Sequence, residues 1–592
     1  MSDTNAVNKA LGTQDIIWNL ADIYSGVDDH NLYADMDWCT DEAKKIRSEY
    51  YGKVASLDAD SLQNLVVRLE KIDCTLSRLG TFSFLNFTTQ VNNAEAGGLD
   101  QRIHELISTC GTETIFFELE WNRVTETNAE QLLQNDLLLR YRHYLTSMRK
   151  YLPHQLSEKE EQLLLEKAVV GRNSWTTLFD KVFGNLKFGD DQRTEEEVLT
   201  ELYHANRDKR KKAAKDMTEG LKNQNHILTH IFNTLAADKM VTDRLRKHTS
   251  WVSSMNLDNQ LNDQTVETLV ETVTSRYDIV HRYYRVKQKL LGFSELKDYD
   301  RYAPLPSLPG QKIDWLSCKT TVLSSFSAFS DDLAEIAEKF FDRSWIHAPI
   351  SHGKRGGAFA HPCVPEIHPY VLVNYTGSLR DISTVAHELG HGVHQVLSAE
   401  QGYYNSDTPL PLAETASVFA ELLVFNAQLD LLSDNDEKRA FICQKLESIF
   451  ATVFRQTAMN RFEQRMHNSR RDDGELSSEK FNSHWMETQQ AMFGDSVTLT
   501  EDYAGWWSYI PHFLSTPGYV YSYAFGELLV LALYGLYQKE GQPFVKKYID
   551  LLSAGGSATP YELLKPFGID LDNPAFWQTG LKVIEDMLER VE

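Results

Sequence analysis

Cysteine is scarce in this chain. Cys39, Cys74, Cys110, Cys318, Cys363 and Cys443 are the only six in 592 residues, and no two form a C-x-x-C pair. That excludes a disulfide scaffold and reads as reduced, packing thiols in a cytosolic protein. A secretory leader is not visible either: MSDTNAVNKALGTQDIIWNL has no basic stretch followed by an apolar run. The most apolar late stretch, Leu528 to Leu536, is shorter than the roughly 20 residues that span a bilayer. A cytoplasmic protein without a membrane segment is the expectation. Basic charge is in deficit, with 60 Lys and Arg against 84 Asp and Glu and a net charge of −24. Such a surface disfavours nucleic acid and anionic membranes as partners. Proline is nearly missing between Trp18 and Phe188, where Pro153 stands alone, as long helices require.

What is present is an ordinary globular balance, 42% hydrophobic and 24% charged. The apolar spacing predicts a mainly α-helical protein. Residues 1–14 read as a flexible arm, 15–190 as a helical lobe and 191–592 as a second, larger domain. Phe183-GNLKFGDD reads as a turn between helices or a small hairpin. Arg207-DKRKKAAK is basic but lies in a helical pattern, so a solvated helix face is expected. APLPSLPG, 303–310, is a proline-rich connection. One helix is expected from about Trp315 to Phe341. From His347 to His368, glycine, proline and histidine replace the helical pattern, and Tyr370-VLVNYT reads as a buried strand. A small sheet is therefore expected before Ser378. Its strand either offers an edge to an extended peptide or is purely structural.

The segment Ser378 to Glu400, SLRDISTVAHELGHGVHQVLSAE, contains His387-Glu388-Leu389-Gly390-His391. On a helix, histidines four apart share a face and can converge on one metal ion. Glu388 is turned about 100° from His387, where it can act as a general base on a metal-bound water. Ser378 and Asp381 fit a capping box, and Ile382, Val385, Ala386, Leu389, Val393 and Leu397 give helical apolar spacing. With 19 histidines in the chain, chance would produce such a motif in only about 4% of chains of this composition. The metal reading is therefore preferred over coincidence. Gly390 and Gly392 each weaken the helix by about 1 kcal/mol, so packing or the close approach of another backbone is expected there.

A catalytic zinc usually takes three protein ligands. The extended motif with a third histidine needs Gly at 394 and His at 397; this chain has His394 and Leu397, which excludes it. His394 is read as a packing residue or one that orients a ligand. Glu414, Ser417 and Glu421 share a face of the apolar helix that begins near Pro409. A carboxylate there needs a partner, either a metal or a buried salt bridge. Glu414 is the preferred third ligand, and Glu421 a carboxylate that orients a ligand or a neighbouring helix.

These segments resemble the oligoendopeptidase F family of zinc metallopeptidases, within the thimet oligopeptidase group. The likeness rests on PYVLVNYTGSLRDISTVAHELGHGVH and LAETASVFAELL, with further similarity in Lys289-LLGFSELKDYDRYAPL and, weakly, in WNLADIYSG. It covers nearly the whole chain and is most specific from about 290 to 530. It implies two helical lobes around a deep substrate channel, with a small sheet beside the metal helix. It also implies one Zn²⁺ per chain, with 191–592 as the catalytic domain, and hydrolysis of internal bonds in short, unfolded oligopeptides.

The segment Trp506-WSYIPHFLSTPGYVYSYAFGELL carries His512, Tyr519, Tyr521 and Tyr523. Taken alone, an aromatic cluster is usually core. The resemblance implies that a histidine and tyrosines here face the metal and stabilise the tetrahedral oxyanion. His512 and Tyr523 match best, then Tyr519. An exopeptidase of the same fold and a noncatalytic peptide- or metal-binding protein are the alternatives. Glu388 argues against the last, because metal ligands alone would suffice for binding.

Overall fold

The computed structural model describes residues 2–305 and 312–592, so Pro306 to Gly310 of the expected proline-rich connection lie outside the described residues. The protein is 72% helical with one small sheet. Local chemistry sets the helix starts. Asp58 accepts the Ser61 N–H at 2.9 Å to open Ala59–Thr88, and Asn206 does the same for Arg207–Leu245. Along Ala59–Thr88, Leu62, Leu65, Val66, Leu69, Ile72, Leu76 and Leu79 are buried, a helical stripe that holds this segment in a core.

The chain forms two compact units, each discontinuous in sequence. The first comprises Met1–Gln155, Gly310–Leu431 and Leu536–Ile569; the second comprises Leu156–Pro309, Leu432–Gly535 and Asp570–Glu592. This differs from a single cut at 190. Tyr370 and Leu372 pack in one core with Leu65, Phe82 and Trp121, so the N-terminal helices and the sheet share their apolar burial. The expected loose arm is also folded. Ser2–Leu11 is a helix, and the Asn8 side chain bonds both main-chain groups of Ile350, at 2.8 and 3.1 Å. Leu11 is buried as well.

In the first unit the sheet has the order β1-β3-β2, with β1 Ile346–His347, β2 Phe359–His361 and β3 Tyr370–Leu372. β3 lies in the centre, parallel to β1 and antiparallel to β2. The expected strand Tyr370–Thr376 is thus regular over three residues only. Val373 and Tyr375 still donate to the carbonyls of His347 and Ala348, at 3.0 and 3.1 Å. Because β3 is central, the sheet's edges are β1 and β2. The single helix expected from Trp315 to Phe341 is two, Trp315–Phe329 and Asp331–Asp342, broken at Ser330, whose backbone is extended.

The second unit is built on Arg207–Leu245 and an aromatic core in which Phe232, Phe462, Phe481, Trp485 and Trp507 meet edge to face or stacked. Phe188 and Arg193 form a β-bridge around a tight turn, the small hairpin reading of that stretch. The basic run is not simply a solvated face. Arg207 and Arg210 both pair with the fully buried Asp300, at 2.6 and 2.8 Å. A buried carboxylate needs such partners. All six cysteines are free.

Candidate active site

The helix Leu379–Ser398 is held at its start by a complete capping box. Ser378 accepts the Asp381 N–H at 3.2 Å, and the Asp381 carboxylate returns to the N–H groups of Ser378 and Thr376, at 3.1 and 2.7 Å. That ties the helix to the end of the strand segment before it. The helix packs on Leu410–Leu431 at a glycine: a Cβ on Gly390 would stand 2.6 Å from both Ala416 O and Ser417 Cα. Gly392 faces the Phe340 ring at the same distance. The two site helices therefore touch through backbone at the level of the histidines.

There, His387 Nε2 lies 3.4 Å and His391 Nε2 3.5 Å from one oxygen, Glu414 Oε2. The candidate ligand atoms of these three residues all lie within 4.8 Å of one another. Ser417 Oγ donates to the same Glu414 oxygen at 2.7 Å. The other ring nitrogen of His387, Nδ1, lies 3.5 Å from Glu421 Oε2. Glu388 is buried, and the main chain of Ala360 on β2 is the backbone group that favours its charged form. His394 is buried beside the cluster with Nε2 3.3 Å from Thr408 Oγ1, so its ring is engaged elsewhere.

The second unit brings the other three candidates together. His512 opens the short helix His512–Ser515, and Tyr523 lies in the first turn of Tyr521–Glu540. His512 Nε2 and Tyr523 Oη are 3.3 Å apart, and the Tyr519 ring meets that of Tyr523 edge-on at 4.9 Å. Tyr521 is different in kind: it is fully buried and accepts from Asn259 Nδ2 at 2.7 Å.

Residues 323–583 match the model of peptidase family M3, and residues 120–188 match that of oligopeptidase F. The chain belongs to peptidase family M3, in its oligoendopeptidase F branch. It is 29% identical over 557 residues to oligopeptidase PepF of Bacillus subtilis, covering 92% of this chain and 82% of the relative. It is 25% identical to an oligoendopeptidase F homolog of Lactococcus lactis, over 99% and 98% of the two chains. In fold it matches crystal structures from Chlamydophila abortus, at a TM-score of 0.86 and 23% identity over 97% and 98% of the chains, and of oligoendopeptidase-F from Enterococcus faecium, at 0.73 and 20% over 95% and 98%.

As an M3 metallopeptidase the chain needs a metal site, and the donor set of the first unit fits one. Three N and O ligands held at about 2.1 Å around a tetrahedral ion lie about 3.4 Å apart, close to the separations of both imidazoles from Glu414. The electrostatics agree. Burial pulls the His387 ring toward the neutral form, but Glu421, Glu414 and Glu388 outweigh it and raise the ring to about 9. Burial lowers His391, and the neighbouring His387 adds to that. Burial opposes ionisation of Glu414, yet the two imidazoles hold its carboxyl below the usual range. Carboxylates crowded around two imidazoles in a half-buried place are what a divalent cation offsets.

Within this M3 chain, Leu410–Leu431 is the one described helix long and apolar enough, by length and composition, to cross a membrane. It is mostly buried, and it carries Glu414 and Glu421. The approach of the Ala360 main chain to Glu388 was not readable in the sequence, because a backbone group on a three-residue strand leaves no side-chain signal.

Proposed function

We propose that this protein is a zinc-dependent endopeptidase that hydrolyses internal bonds of short, unfolded oligopeptides. The reading is carried by the convergence of His387 Nε2 and His391 Nε2 on Glu414 Oε2, at 3.4 and 3.5 Å, with Glu388 one residue from the first histidine. His387, His391 and Glu414 would hold one zinc ion per chain. When bound, the ion supplies Lewis acidity, polarising the scissile carbonyl and lowering the pKa of water.

The chain's own groups do the rest. Burial pushes the Glu388 carboxyl up to about 7, which suits a group that takes a proton from the attacking water and returns it to the leaving amine. Glu421 engages His387 at Nδ1, so Nε2 is the nitrogen presented toward Glu414. His512 and Tyr523, with Tyr519 beside them, donate hydrogen bonds to the oxyanion that forms as water adds to the carbonyl. β2 is the sheet edge on the side of Glu388, and there the main chain of an extended peptide would add. All these groups fall in residues 191–592, the segment to which we assign catalysis.

One experiment tests the reading. The purified protein is incubated with a mixed peptide pool, and cut positions are mapped by mass spectrometry with and without a chelator. Internal cuts that stop with the chelator and return with zinc are expected. Glu388→Gln, with zinc content confirmed, should lose roughly 10²–10⁴-fold in turnover. Removal of residues from one end only would point instead to an exopeptidase. Uptake of peptide with no cleavage would point to a binding protein.

A further inference from the structure

The helix Phe454–Asp472 carries five arginines, and one of them is out of place. Arg461 pairs with Glu267 at 2.8 Å, Arg471 with Asp243 at 2.6 Å, and Arg465 with Glu487. Arg470 donates to the main-chain carbonyl of Asn233. Among the described residues Arg455 has no such acceptor. Among them, its hydrogen bond is from Nη2 to the neutral phenol of Tyr509, at 3.2 Å, and its Nε is buried without a partner. The groups that bear most on its charge are Tyr302, Tyr509 and Tyr503, followed by a like-charged neighbour, Arg301. Among the described residues no Asp or Glu pairs with it. Arg301, by contrast, spends its donors on the Asp298 carbonyl at 2.8 Å and on the Tyr503 hydroxyl at 3.0 Å.

A half-buried arginine whose Nε is shut off from water, with no acidic partner among the described residues, is costly, and folding alone gives no reason to keep it. Its surroundings place it near residues already assigned to catalysis. Tyr509, which it holds, stands three residues before His512. Arg455 is also the charged group that, after burial, lowers the His512 imidazole. A planar guanidinium with free donors matches one kind of ligand group better than any other, a carboxylate held by two parallel bonds. Every oligopeptide brings such a group at its C-terminus, and acidic side chains bring more.

We propose that Arg455 is a substrate-binding residue that takes a carboxylate of the peptide, with the Tyr509 hydroxyl beside it. The inference rests on the peptidase reading above. It deepens that reading by making the enzyme measure peptides from a charged group rather than by side-chain identity around the cut.

The test uses three peptides of identical body: a free C-terminal acid, its C-terminal amide, and the amide with one glutamate near its end. For the intact protein, KM for the amide should exceed that for the acid by about 10–100-fold, the range for a charged hydrogen bond. Recovery with the glutamate peptide assigns the carboxylate to side chains, and recovery only with the free acid assigns it to the terminus. Arg455→Gln should erase the KM difference between acid and amide, whatever its effect on kcat through Tyr509 and His512. Arg455→Lys, which keeps charge without the fork, should retain part of it and serves if the Gln variant does not fold. Calorimetric binding of the same peptides to Glu388→Gln repeats the comparison without turnover. A carboxylate preference in binding but no cleavage by the intact protein would sink the peptidase reading and leave this one standing. An intact protein indifferent to every carboxylate, or an Arg455 variant with unchanged discrimination, overturns it.

Discussion

Gly390 and Ala416 meet so closely that a Cβ on Gly390 would lie 2.6 Å from the Ala416 carbonyl oxygen. That contact sets the spacing of the two site helices, and the spacing puts Glu414 within reach of both His387 and His391. In sequence, Gly390 looked like a weak point in a helix. In the structure it is the reason two helices from separate stretches can share one cluster.

Gly390→Ala should therefore cost more than it gains. Alanine adds about 1 kcal/mol of helix propensity, but overpacking against a backbone costs about 1–3 kcal/mol and cannot be relieved by a rotamer change. A lower Tm and weaker metal retention after dialysis are expected. Gly392→Ala meets a ring, Phe340, which can turn, and should do less harm on both counts. Equal behaviour of the two variants would mean that the helices part easily.

Glu414→Ala should lose metal far more readily than Glu421→Ala. Glu414 Oε2 lies near Nε2 of both His387 and His391, whereas Glu421 meets His387 on the other side of its ring. A carboxylate that orients a ligand histidine typically changes affinity by about 10–100-fold, less than removal of a ligand. Metal stoichiometry after matched dialysis decides it. Loss from Glu421→Ala alone would exchange the two roles.

Much of this site could be read from residue order because helices impose a short repeat. His387 and His391 had to share a face, Ser378 and Asp381 had to cap, and Glu414, Ser417 and Glu421 had to line up. The mainly helical class followed from the same periodicity. Long-range facts were not readable. The Asp300 pairing of Arg207 and Arg210 joins residues about 90 positions apart, so the local pattern showed only a basic run. The N-terminal helix depends on Asn8 meeting Ile350, again a distant partner. The two compact units do not follow a single cut at 190 for a similar reason: cores follow contact, and Tyr370 and Leu372 pack with helices from the N-terminal segment.

Glu463 gives a pH-dependent prediction. It is fully buried, accepts the Gly518 N–H at 2.9 Å through one oxygen, and leaves the other without a partner. Burial pushes its carboxyl up to about 8, against a partial opposing pull from that hydrogen bond and from Lys239. The folded protein therefore binds more protons here than the unfolded chain. This group's contribution is most favourable below about pH 4.5 and is lost as pH rises toward 8. Glu463→Gln keeps an acceptor for Gly518 and removes the ionisation. Its Tm should exceed that of the parent at pH 8.5 by several degrees, with little difference at pH 5. A variant less stable at both pH values would show that the carboxylate is stabilised in some other way.

Tyr523→Phe should lower kcat by about 10²–10³-fold with KM and metal content nearly unchanged. The hydroxyl is proposed to donate to an oxyanion that exists only on the way to products. Loss of such an interaction lowers kcat and kcat/KM together. Burial and Arg455 lower the His512 ring, so near neutrality it is uncharged, with one N–H to give. At 3.3 Å from Tyr523 Oη, it can either share the donor role or orient the phenol. His512→Ala distinguishes these. A shared role predicts a second large loss of kcat that is not multiplied in the double variant. An orienting role predicts a smaller loss that vanishes when Tyr523 is already Phe. Tyr519→Phe reports on the neighbouring ring, which meets Tyr523 edge-on and should matter less. A packing tyrosine would behave differently, because phenylalanine keeps the ring and turnover would hardly change. Wild-type kcat in Tyr523→Phe, or a defect confined to KM, would remove Tyr523 from the chemistry.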